Sequence, residues 1–357
     1  MAQVLSESDR RLLDHLQREI PLTPRPFAAL AEVLGRSEAE VIDRVRALSG
    51  PPPAPIRQIS AIFDSKRLGY ESCLVAAKVD ADRIAAAAAI INRHPGVSHN
   101  YQREHAYNLW FTLAVPPDSR LGLERTVEHL RRLAGAQSMR LMPAIKLYKI
   151  GVKFDLDEAG AEARRHEGTK TQPAKSGGPI VLDDLDKRMI QVLQQHLPHE
   201  AAPFDGWARQ AGVTVEQLLA AAERFLEAGV MRRFSAVLRH REVGVAANAM
   251  GVWIVPPDRQ DSFGQLAAQN AAVSHCYLRP TYPDWPYSIF TMVHGRTRVD
   301  CEATLAAISQ ASGIHEYNSL YSTHEYKKVR VQYFTGHIAQ WEEAHSASEA
   351  IGRLSRA

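Results

Sequence analysis

His99, Tyr101 and Arg103 stand in "VSHNYQRE", and His275, Tyr277 and Arg279 stand in "VSHCYLRP". If each run is a strand, alternate residues share a face. Each run then sets an imidazole, a phenol and a guanidinium in one row, and His105 joins the first row if that strand persists. Such a row makes a poor apolar core and a good wall for a flat, anionic, aromatic ligand. Arginine forks onto carboxylates and stacks on π-systems. Tyrosine adds a ring and a hydroxyl, and histidine can pass protons or ligate iron. The simpler reading of one such run is a solvated sheet face. Recurrence favours a ligand site, although duplicated copies also share residues by descent. Lys146, Lys149, Lys327, Arg239 and His240 are further candidates to hold an anion near these rows. Their simpler role is surface solubility. Strand parity turns Lys327 away from Lys328 and Arg330.

Other chemistries are missing from the sequence. No GxGxxG, phosphate-binding loop or GxSxG motif occurs. The cysteines and histidines lack zinc-ligand spacing, so no metal site is expected. Three widely spaced cysteines, Cys73, Cys276 and Cys301, suit a reducing compartment rather than a disulfide framework. The sequence opens without a signal-peptide core, and "IAAAAAII" is too short to span a bilayer. A cytoplasmic protein with no membrane partner is expected. The formal charge of +3, from 43 basic and 40 acidic residues, gives no bulk attraction to nucleic acid.

The elements that must position these rows are written twice. His99, Tyr101 and Arg103 recur at an offset of 176; Asp9 and Asp186 are offset by 177, Lys149 and Lys327 by 178, and Gly69 and Gly244 by 175. A steady offset over four blocks means two fused copies of one protomer, which can pack as an internal pseudo-twofold dimer. Each copy opens with three short helical patterns in the winged helix-turn-helix outline. A βαββαβ order follows, which predicts a ferredoxin-like sandwich whose open sheet face the other copy would cover.

The expected fold class is therefore α+β. Residues 1–50 form the first winged helix-turn-helix and 56–155 the first ferredoxin-like domain. A polar linker over 156–180 leads to a second winged helix-turn-helix over 181–231 and a second ferredoxin-like domain over 232–335. Residues 336–357 form a C-terminal helix or tail. A helix-turn-helix raises DNA binding. The candidate recognition helices, however, carry Glu38, Glu40, Asp43, Glu216, Glu223 and Glu227 against Arg44, Arg46 and Arg224. Carboxylates there repel phosphate, so no nucleic-acid partner is expected.

The plan of winged helix plus βαββαβ resembles the Lrp/AsnC regulators. The motifs "HNYQREHAYNLWFTL", "FDSKRLGY", "ANAMGVWIVP", "SHCYLRPTYPDWPYSIFTMVHGR" and "LYSTHEYKKVRVQYF" are narrower. They resemble the siroheme decarboxylases of the Lrp/AsnC type, in the fused NirDL-like form, with each copy similar to one subunit of the heterodimeric members. The resemblance implies loss of the C12 and C18 acetate carboxyls of siroheme to give 12,18-didecarboxysiroheme, which feeds haem d1 synthesis or an alternative haem route. It implies no added cofactor, because the iron belongs to the substrate. On this view His99, His105 and His275 are candidate proton donors, and Arg103, Arg279 and Lys146 candidate carboxylate anchors. Tyr101 and Tyr277 would orient the pigment. Trp110, Trp285, Phe111 and Phe290 are candidates to line an apolar patch for the departing carboxylate. A histidine could instead ligate the iron. The segment "PTYPDWPY" replaces "EHAYN" in the second copy, three residues longer to the shared Phe-Thr, so the copies are expected to differ. The alternatives are a regulator or a tetrapyrrole carrier or sensor without catalysis. Further homo-oligomerisation is left open.

Overall fold

The computed structural model describes residues 5–51, 53–150, 178–239 and 247–354. The first copy runs α1 (Glu7–Arg18), α2 (Pro26–Leu34), α3 (Glu38–Leu48), β1 (Ile56–Phe63), β2 (Glu71–Lys78), α4 (Ile84–Asn92), β3 (Val97–Arg103), β4 (Leu109–Val115), α5 (Gly122–Ala134), β5 (Ser138–Met142) and β6 (Lys146–Ile150). The second runs α6 (Asp184–Leu193), α7 (Phe204–Ala211), α8 (Val215–Glu227), β7 (Met231–Leu238), β8 (Ala247–Trp253), α9 (Gln260–Gln269), β9 (Val273–Leu278), β10 (Ile289–Gly295), α10 (Arg298–Ser312), β11 (Tyr317–Lys328) and α11 (His337–Leu354). Residues 156–177 of the expected linker, and Gly244 of the repeat, lie outside the described residues. The chain divides into two compact units.

One unit holds both helix-turn-helix parts. Ser6 and Asp9 form a reciprocal capping box that starts α1, whose Leu12, Leu13 and Leu16 are buried. Gly35 and Gly212 end α2 and α7 in the left-handed region, where a side chain would be strained. Asp9 is 2% exposed and takes a bidentate contact from Arg44 on α3. In the second copy Asp186 pairs with Arg224 on α8 at 2.7 Å. The repeated aspartates thus hold helix one to helix three. The wing is shared: β1 pairs antiparallel with β7, Ser60 opposite Ser235. Tyr333 and Phe334 pack against Tyr70 in this unit.

The other unit holds both βαββαβ parts and α11. Their strands form one nine-stranded sheet in the order β5-β2-β4-β3-β11-β8-β10-β9-β6. The last strand of each copy crosses to the other. β11 pairs with β8 along Tyr317–Tyr321 and with β3 from Ser322 onward. In the first copy Pro143 and its neighbours split the equivalent strand, so β5 pairs with β2 and β6 with β9. The crossings are register-equivalent: Lys328 faces His99 as Ile150 faces His275, and Lys327 faces Asn100 as Lys149 faces Cys276.

One sheet face carries the helices over two separate cores, one around Phe111 and Leu113 and one around Trp253 and Phe263. The other face closes on itself. Ala76 and Trp110 from the first copy share a buried cluster with Met250, Val252 and Phe290 from the second. Covering the open face of each half removes apolar area from water, which is the driving force for packing them together. All three cysteines are buried and unpaired, and burial pushes the Cys73 thiol up to about 11. Among the described residues, no helix is long and apolar enough to cross a membrane.

Candidate active site

The histidines are aimed by β-bulges. On a regular strand Ser98 and His99 would point to opposite faces. The pairing of β3 with β4 skips a residue between Val97 and His99, and that of β9 with β10 skips one between Val273 and His275. A bulge brings adjacent side chains toward one side. Ser98 Oγ accordingly lies 3.0 Å from His99 Nδ1, and Ser274 Oγ 2.8 Å from His275 Nδ1. Each imidazole stacks on the tyrosine two residues on. The His99–Tyr101 centroids are 6.2 Å apart and the His275–Tyr277 centroids 6.0 Å apart. Both rows lie on the helix-free face: Tyr101 stands opposite Trp110, and Tyr277 opposite Phe290.

The two arginines are tied across the copies. Arg103 Nη1 donates to the Leu320 carbonyl at 2.7 Å, and Arg279 Nη1 donates to the equivalent Met142 carbonyl. Arg103 is 7% exposed, and burial draws its pKa down to about 10; burial lowers Arg279 as well. The Arg279 guanidinium lies 4.8 Å from the Tyr277 ring centroid. Each Nε is buried without a hydrogen-bond partner among the described residues. A guanidinium desolvated in this way is stabilised by any anion brought beside it.

His105 leaves the row. β3 ends at Arg103, and the His105 amide turns back to the Arg103 carbonyl at 2.9 Å, so strand parity does not extend to it. Its Nδ1 accepts the Tyr107 amide proton at 3.0 Å, which leaves Nε2 to carry the proton of the neutral ring. Burial lowers its pKa. The ring lies 5.2 Å from Trp285, on the segment that distinguishes the second copy. That segment docks on the first copy. Asp284 accepts from Tyr107 Oη at 2.7 Å and pairs with Arg140 at 3.1 Å, while Trp285 is fully buried against Trp110.

Several sequence expectations change. Lys146, Lys149 and Lys327 do not stand in the wall. Lys146 pairs with Asp261 on α9, and Lys149 donates to the Asn270 carbonyl, both at 2.7 Å; Lys327 donates to the Asn92 carbonyl, also at 2.7 Å. All three contacts lie on the helix face. The two equivalent lysines close the ends of α4 and α9, where carbonyls lack partners. Arg239 belongs to the helix-turn-helix unit, where its guanidinium meets the Ala54 and Ile56 carbonyls. His240 lies outside the described residues. Phe111 packs among the helix-side residues, so it cannot line the open face. Trp110 and Trp285 do lie on that face, in its buried interior. The Phe-Thr match is a register coincidence. Pairing aligns Trp110, nine positions after Tyr101, with Phe290, thirteen after Tyr277. The second-copy loop is thus four residues longer, not three, since a one-residue slip exchanges the faces. The sequence reading also missed Ser98 and Ser274. Both are written before the histidines, but parity assigns them to the wrong face until the bulge is seen.

Comparison with known proteins places this geometry. A model described as "Siroheme decarboxylase NirDL-like HTH domain" matches residues 9–50 and 186–232, and an "AsnC-like ligand binding domain" model matches 67–149 and 242–327. The siroheme decarboxylase of Hydrogenobacter thermophilus is 37% identical over 331 residues, 93% of this chain and 96% of that one. The chain belongs to the siroheme decarboxylase family. A crystal structure of the siroheme decarboxylase NirDL in complex with an iron-uroporphyrin III analogue superposes with a TM-score of 0.75 at 31% identity, covering 96% of this chain and 99% of that one. The siroheme decarboxylase alpha subunit of Desulfovibrio desulfuricans is 45% identical over 43% of this chain and 86% of its own length. Some siroheme decarboxylases are therefore separate subunits of about half this length, in keeping with the internal duplication.

Proposed function

We propose that this siroheme decarboxylase removes the C12 and C18 acetate carboxyls of siroheme non-oxidatively, yielding 12,18-didecarboxysiroheme for haem d1 or an alternative haem route. The observation that carries the reading is the pair of His–Tyr rows on one sheet face, each followed by a buried guanidinium with no carboxylate on it among the described residues. A flat macrocycle with many carboxylates supplies both the aromatic surface and the missing anions. Tyr101 and Tyr277 orient the pigment, and Arg103 and Arg279 hold carboxylates that remain.

Losing CO2 leaves an electron pair on the arm's methylene, which the conjugated ring spreads, so no added cofactor is needed. The iron comes with the substrate. The methylene must then gain a proton, and an imidazole is suited to give it near neutral pH. His99, His105 and His275 are the candidates. An ion pair on the departing carboxylate would favour the ground state, because that charge vanishes on reaction. An apolar setting for the departing arm is therefore expected.

Anaerobic incubation of the purified protein with siroheme, followed by mass analysis, tests the reading. Loss of two CO2 units supports it. Unchanged bound siroheme favours a carrier or sensor. The regulator reading is weakened by Arg44 and Arg224, which are engaged by Asp9 and Asp186; a gel-shift series across salt concentrations tests it.

A further inference from the structure

We infer that the second copy holds the proton-delivery centre: His275 protonates the decarboxylated arm and is reloaded through Ser274 from His294. The inference rests on the decarboxylase reading above and assigns its acid.

Ser274 Oγ lies 2.8 Å from His275 Nδ1 and 2.7 Å from His294 Nε2, with the Met292 carbonyl farther off at 3.3 Å. A hydroxyl has one proton to give and lone pairs to accept with. Between two imidazoles it accepts from one and donates to the other. The bulge makes the bridge possible by bringing Ser274 to the side of His275, and β10 supplies His294 two positions after Met292. Ser274 is 5% exposed, whereas His294 is only half-buried and can exchange protons with solvent.

Among the described residues of the first copy, an alanine stands where this chain has His294. His294 donates its amide to Ala272, and the residue that makes the equivalent bond to Gly96 is Ala114. Ser98 therefore has no second imidazole at that position. The settings of the two histidines differ as well. Thr112 and Lys328 stand opposite His99 on its two sides; Met292 and Ile150 stand opposite His275. Beside the first histidine Lys328, which pairs with Glu325 at 3.8 Å, places a cation that would favour a carboxylate staying in place. The Met292 thioether beside the second offers a carboxylate no charge to pair with and so favours its loss.

The bond from methylene to carboxyl breaks, CO2 departs, and the electron pair stays on the methylene and ring. His275 Nε2 gives its proton to the methylene as Ser274 protonates Nδ1. Ser274 is reprotonated by the His294 imidazolium, which becomes neutral; once product leaves, Nε2 takes a proton from solvent and the Nδ1 proton returns through Ser274 to His294, which restores the starting state. Among the described residues, the titratable and charged groups around His275 are His294 from β10 and Tyr277 and Arg279 from its own strand; on β6, Lys149 turns to the helix face. Burial, His294 and Arg279 all lower the His275 pKa; burial alone lowers that of His294, so the outer imidazole has fewer causes acting against its charged form.

Single-turnover CO2 release from bound siroheme, measured across pH, tests this in the full chain. Ser274→Ala should slow release by roughly 10- to 100-fold and move the alkaline limb to lower pH, with pigment affinity held within a few fold. Ser274→Thr should restore most of the rate. His294→Asn should slow release similarly, and the double variant should be no slower than either single one, because the two act as a unit. Ser98→Ala should cost less than Ser274→Ala. Parent turnover in Ser274→Ala, additive losses, or equal losses from the two serine variants would overturn the relay alone. A parent protein that binds siroheme and releases no CO2 would overturn the decarboxylase reading, and the relay with it.

Discussion

Trp285 allows a test in which a smaller side chain should cost almost nothing. It is fully buried and contacts Trp110, Tyr107, His105, Tyr287 and Phe290 from 4.9 to 5.9 Å between centroids. Its Nε1–H is buried without a hydrogen-bond partner among the described residues. Trp285→Ala removes the whole ring and should cost about 3–5 kcal/mol. Trp285→Phe loses only part of that contact, about 1–2 kcal/mol, and relieves an unsatisfied donor that costs about 1–3 kcal/mol. The net change should fall between about 1 kcal/mol destabilising and about 2 kcal/mol stabilising, from the same two figures. Urea unfolding followed by tryptophan-independent far-ultraviolet dichroism reads both variants. Because His105 packs on this ring, Trp285→Ala should also slow CO2 release, and Trp285→Phe should leave most of it. If Trp285→Phe destabilises as much as Trp285→Ala, the indole is held by a bond this geometry does not contain, and the reasoning fails.

Three further outcomes follow from the same structure. His275→Ala should slow CO2 release about 100-fold, while His105→Ala, whose imidazole is anchored to Tyr107, should cost less; equal losses in single-turnover assays would count against the assignment of His275. Lys149→Met and Lys327→Met should each lower thermal stability by about 1 kcal/mol, the worth of a helix-end contact, and leave siroheme affinity unchanged in a spectral titration. Asp9 is held down to about 2, first by its hydrogen bonds from Arg44. A depressed folded pKa gives stability that is present above the unfolded value near 4 and lost as pH falls toward 2, about 2 kcal/mol in all. Asp9→Asn should flatten acid unfolding in that window; an unchanged pH dependence would refute the pair's contribution.

The family and the order of elements were legible because they depend on local pattern. The 176-residue offset, the three short helical patterns that open each copy, and alternation around Tyr101 and Tyr277 are readable one segment at a time. Alternation fails where the chain departs from regularity. At Ser98 and Ser274 a bulge reverses the face, at Arg103 the strand ends, and at Phe111 a one-residue slip exchanges core and cleft. Charge was equally misleading. Lys149 and Lys327 look like anion ligands because a lysine's sequence carries no sign of the carbonyls left open at the end of a helix distant in the chain.

By itself the sequence determined that two copies of one α+β protomer are fused and that each sets His, Tyr and Arg two residues apart on a strand. Only tertiary structure decided that the last strands exchange between the copies and that Asp284 and Trp285 dock on the first copy. Tertiary structure also decided that Ser274 bridges two imidazoles in the second copy. Backbone periodicity is a property of neighbouring residues. Partners separated by twenty residues or two hundred meet only when the sheet has closed and excluded water between them.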